Sequence, residues 1–130
     1  MVGERVGKFS LDLVKKLIIQ YRSGDNTALW FSARSRSLDC VINVFLCSEV
    51  EAESRILDGI LQLKKSDFHR SNIQWDLIVD EYGLENYLGY NWYVKFTVDN
   101  QNGLETLEQI SFHLLEKKMR LADGRELTVF

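Results

Sequence analysis

Large apolar residues occupy every second position of the run Tyr90-Asn91-Trp92-Tyr93-Val94-Lys95-Phe96-Thr97-Val98. This predicts a strand with Tyr90, Trp92, Val94, Phe96 and Val98 on one face and Asn91, Tyr93, Lys95 and Thr97 on the other. One face is then core and the other wet, as in an antiparallel sheet backed on one side. A helical period governs residues 10–22 instead: Leu13, Val14, Leu17, Ile18 and Tyr21 recur at three- and four-residue spacing, Ser10 suits the N-cap, and Ser23-Gly24 ends the run.

Between these, residues 29–36 and 38–47 read as two strands joined by a polar turn at 35–37. Leu38, Cys40, Ile42, Val44 and Leu46 alternate along the second of them. Ser48 followed by Glu51 has capping-box spacing and predicts a second helix. Its stripe is Ala52, Ile56, Ile60 and Leu63, and its acidic start and the basic pair Lys64-Lys65 suit the helix dipole. Residues 73–80 alternate as a further strand, followed by a loop over 81–89. Asn100 to Gly103 marks a second loop, and Leu104, Leu107, Ile110, Leu114 and Leu115 predict a third helix over 104–117. Asp123-Gly124 is a hairpin-turn pair, which predicts a last strand running to the terminus.

The expected fold is therefore a single α+β domain over residues 1–130, with a mainly antiparallel sheet of about five strands and three helices in the order α-β-β-α-β-β-α-β. A chain of 130 residues, 45% hydrophobic and 27% charged, suits one core. Its longest apolar runs fall short of the roughly 18 to 20 residues of a bilayer span, and its first residues lack the pattern of an export signal. Cys40 and Cys47, seven apart on one expected strand, would lie roughly 20 Å or more from each other, beyond disulfide reach. Free thiols without an export signal predict a cytoplasmic protein.

His69 and His113 are the only histidines and have no zinc-site spacing with other ligands, and no glycine-rich phosphate loop opens a helix. Neither a metal nor a cofactor is expected, and no catalytic residue is assigned. Trp30, Arg34 and Arg36 could form a small phosphate-binding surface, but a net charge of −3 opposes a nucleic-acid footprint.

Charge is nevertheless uneven. From Asp76 to Glu108 the carboxylates are Asp76, Asp80, Glu81, Glu85, Asp99, Glu105 and Glu108, with Lys95 as the sole cation. Asp76 and Asp80 as a hydrolytic pair would stand about 13 Å apart along a strand, too far for the usual glycosidase spacing. The expectation is instead an outward acidic face bearing tyrosines, with Asp76, Asp80, Glu81, Tyr82, Glu85, Tyr87 and Asp99 as partner contacts.

A small acidic α+β domain without a reaction centre resembles, as a class, bacterial immunity proteins, which neutralise a toxin domain by covering it. It also resembles secretion chaperones, often acidic dimers that hold an effector segment. The first resemblance implies a protein-binding inhibitor that occludes a basic toxin domain such as a nuclease; it implies no enzyme and no membrane partner. The second implies an adaptor, with a homodimer as its working form. A small enzyme with a dispersed site, drawing on His113, Cys47 or a carboxylate, is the third reading.

Overall fold

The computed structural model describes residues 6–31 and 36–129. They form an α+β domain in which three helices precede a four-stranded antiparallel meander and a small two-stranded hairpin. The helices are α1 (Leu11–Arg22), α2 (Arg36–Phe45) and α3 (Glu49–Leu61), and a 3-10 turn (Lys65–Asp67) leads into the sheet. Strands β1 (Phe68–Gln74), β2 (Leu77–Tyr87), β3 (Tyr90–Gln101) and β4 (Leu104–Leu114) pair in sequence order, and β5 (Met119–Arg120) pairs with β6 (Glu126–Leu127).

The helix starts expected at Ser10 and Ser48 form. Ser10 Oγ accepts from the amides of Asp12 and Leu13 at 3.2 and 3.4 Å, and Ser48 Oγ accepts from the Glu51 amide at 3.1 Å. Helix α1 buries Leu11, Val14, Leu17 and Ile18, while α3 buries Ala52, Ile56, Leu57 and Ile60. Side-chain bonds tie the two together: Tyr21 to Glu53, Arg22 to Asp58 and to the Ser54 carbonyl, and, just past the end of α3, Lys15 to the Leu63 carbonyl.

Two segments exchange identity with respect to the sequence pattern. Residues 38–47, expected as a strand, are helix α2 and its exit. Leu38, Val41, Ile42 and Phe45 sit three and four apart, and this stripe meets the core while Asp39 and Asn43 face water. A short apolar run satisfies both periods, and packing against α3 and β4 selects the helix. Residues 104–114, expected as a helix, are β4. Gln109 has a φ of +55° and the β3 register slips beside it. This bulge adds one residue to the strand, so that buried Leu107 is followed inward by Ile110, Phe112 and Leu114. The three-residue step from Leu107 to Ile110 imitates helical spacing.

The expected strand over 73–80 is a hairpin tip. Trp75 and Asp76, with φ of +53° and +62°, turn the chain between β1 and β2, and β2 then runs through the expected loop to Tyr87. Trp75 is consequently 93% exposed. Of the other expected strand, 29–36, only Leu29 bridges to Leu107 of β4; residues 32–35 lie outside the described residues, Arg34 among them. Cys40 and Cys47 are free thiols, now on α2 and just beyond it.

Strand β3 keeps its predicted faces. Trp92, Val94 and Phe96 are buried beneath the helices, and Trp92 packs against Phe45, Tyr87 and Phe112. Its indole N–H donates to the Tyr87 carbonyl at 2.7 Å. The opposite face of the sheet carries a second, smaller cluster of Leu115, Met119, Leu121 and Leu127, with Tyr93 against it. The β5–β6 hairpin can lie this close because Gly83 has no side chain: a Cβ there would stand 2.7 Å from Leu127, 2.8 Å from Met119 and 2.9 Å from Leu121.

Candidate functional site

The structure does not gather the acidic residues into one outward face. Asp76 is exposed at the β1–β2 tip. Asp80 is fully buried, accepting hydrogen bonds from the amides of Lys8 and Phe9 at 3.0 and 2.8 Å and from the Ser71 hydroxyl at 2.7 Å. Glu81 is 3% exposed on the other side of the sheet. Tyr82 stacks on Phe96 and meets Phe68 edge to face in the core. Tyr87 is buried and donates to the Arg55 carbonyl at 2.6 Å. Glu85 is exposed but ion-paired with Arg125 at 3.0 Å, and Asp99 lies half-buried near the far end of β3. Successive strand residues point to opposite faces, so Asp80, Glu81 and Tyr82 cannot share a surface. Four of the seven expected contacts are thus interior groups, and the expected exposed acidic face is corrected accordingly.

The open face of the sheet instead forms a cleft of about 340 Å³, within the usual range for a ligand site. Alternation builds its floor. Cross-strand pairing aligns Arg70 of β1, Glu81 of β2, Lys95 of β3 and Ser111 of β4 in one row, and Tyr93 and His113 in the next. The segment from Leu115 to Met119 makes one wall, and Arg36 and Ser37 at the start of α2 close one end. Ser37 Oγ accepts from the Phe112 amide at 2.7 Å, which fixes that end to β4.

Most of the floor is held in place by its own bonds. Glu81 accepts from the Tyr93 hydroxyl at 2.6 Å and from Arg70 Nε at 2.8 Å. Burial, then the bond and the charge of Glu81, push the Tyr93 phenol up. The Lys95 ammonium donates to Gln74 Oε1 at 2.7 Å, and burial lowers its pKa although Glu81 opposes the shift. His113 stacks on Tyr93 with ring centres 4.8 Å apart, and its Nδ1 lies 2.8 Å from the Leu114 carbonyl oxygen, which makes that nitrogen the donor. At the mouth, Glu116 pairs with Arg36 at 2.6 Å and stands 4.0 Å from His113.

Five cationic side chains, Arg36, Arg70, Lys95, Lys117 and Lys118, line the cleft with two carboxylates; Arg36 and Arg70 pair with these, Lys118 stands 3.9 Å from Glu126, and the cations remain in excess. The arrangement is equipped to hold an anion. A second hollow, of about 350 Å³, lies between residues 6–12 and Lys65, Phe68 and Tyr82, and collects no comparable set.

Tyr93 and Lys95 lie on the open face of β3, as alternation predicts, whereas Ser111 and His113 fall within the segment whose spacing predicts a helix. Reading 104–114 with period two and one bulge places both beside Lys95. Among the described residues no group of histidines, cysteines and carboxylates is placed to hold a metal ion, and no helix is long and apolar enough to cross a membrane. Comparison with protein-family models, with curated proteins and with solved structures finds no match to this chain.

Proposed function

We propose that this chain is a protein-binding domain whose working surface is the open-face cleft, and that it acts by occupying a segment of its partner, as inhibitors of the immunity-protein type do. The single observation that supports this reading is the contrast between the two faces of one sheet. One face is filled by helices and rings. The other keeps a concave, polar, prearranged floor beneath a mouth of exposed lysines. Ordered polar side chains reduce the entropy lost on association, which favours recognition. A partner at this cleft carries negative charge, so the attraction runs opposite in sign to the one an acidic face would exert on a basic toxin.

Affinity capture from the organism that encodes the chain tests the assignment through variant dependence. Reversing charge at the mouth with Lys117→Glu and Lys118→Glu is expected to lose the partner held by the unmodified chain, whereas Val50→Ala, exposed on α3 and outside the cleft lining, keeps it. Retention of the partner by the charge-reversed bait would move the working surface elsewhere.

A further inference from the structure

Within this cleft, and resting on the binding reading above, we infer that Lys95 and Ser111 form a subsite for a single carboxylate, presented by an acidic side chain of the partner segment. Three observations carry it. The two residues are direct cross-strand partners on the open face, and both line the same floor. Among the described residues the Lys95 ammonium has one hydrogen-bond partner, the neutral Gln74 amide, and the Ser111 hydroxyl has none. The neighbouring cation Arg70 is committed to Glu81. One ammonium with unused N–H groups and one hydroxyl are thus offered side by side in a partly dehydrated floor, where a charge-assisted hydrogen bond is strong.

Glu81 decides between anions. Its buried carboxylate faces Lys95 across the β2–β3 pair, so an incoming dianion would meet a fixed negative charge at close range. A singly charged carboxylate meets less repulsion and matches the single charge of the Lys95 ammonium. The exposed Lys117 at the mouth draws the acidic segment in without entering the subsite.

Amide chemical-shift titration of the full chain at low salt tests the inference with three probes: a capped triglutamate peptide, a capped triglutamine peptide and inorganic phosphate. Triglutamate is expected to shift the amides around Lys95 and Ser111 saturably, with triglutamine inert and phosphate weaker. Lys95→Met is expected to weaken triglutamate by about tenfold or more, and Ser111→Ala by about threefold. If Lys95→Met does not fold, Lys95→Gln and Ser111→Ala make the same comparison. Equal binding of triglutamine, preference for phosphate, or an unchanged Kd in the Lys95 variant overturns the subsite. If in addition the captured partner is lost on reversal of Lys117 and Lys118 but kept by Lys95→Met, the cleft stands as the binding surface and only the carboxylate assignment falls.

Discussion

Asp80 and Glu81 are adjacent acidic residues with different work. Asp80 turns toward the helices, where its carboxylate gathers two backbone amides and a hydroxyl and pins residues 8 and 9 to the sheet. Glu81 turns the other way and organises the cleft. Removing the Asp80 carboxylate strands those amides, so Asp80→Ala is expected to cost about 2 to 3 kcal/mol, against less than about 0.5 for Asp76→Asn, which removes a surface charge and still tolerates the left-handed backbone. Urea denaturation with an unchanged m-value reads the difference directly. Composition showed that this stretch was acidic, but solvent exposure was an assumption carried over from residue type. A charge becomes interior when the fold supplies donors, and the two amides that Asp80 accepts from lie more than seventy positions away. No local pattern signals that.

Elements whose ends carry local chemistry were legible, and those decided by long-range packing were not. Ser10, Ser48 and Asp123-Gly124 each announced the turn or cap that forms there. The β1–β2 turn announced nothing, because its two left-handed positions hold Trp75 and Asp76 in place of the Asn-Gly that such turns favour. That choice is strained. Replacing Trp75-Asp76 with Asn-Gly is expected to stabilise the domain by about 1 kcal/mol, measured as a rise in the midpoint of thermal or urea unfolding. Stability unchanged or lowered would show that the exposed indole makes a contribution offsetting the backbone cost. Strand β4 was hidden for a related reason, since the bulge at Gln109 broke the alternation that would have revealed it and, with it, Ser111 and His113.

Across the whole molecule, phenols report on packing. Burial pushes Tyr82 and Tyr93 up and takes Tyr87 to about 12, while the bond to Glu53 takes Tyr21 to about 12. Each folded value lies above the unfolded one near 10, so the stability they contribute is complete below that pH and is lost as pH rises through the folded values. Absorbance at 295 nm followed together with circular dichroism is expected to show these four phenols ionising above pH 10 as the near-ultraviolet signal disappears. Ionisation of all of them near pH 10 with that signal intact would contradict the packing described.

The little cluster of Leu115, Met119, Leu121 and Leu127 lends Leu115 and Met119 to the cleft wall, packs against Tyr93 of its floor and stays apart from the main core. Its residues shape the cleft's rim, so drift in their size could widen or narrow the entrance while the aromatic interior stays intact. A lineage of such domains could in this way retune whom it grips without renegotiating how it folds.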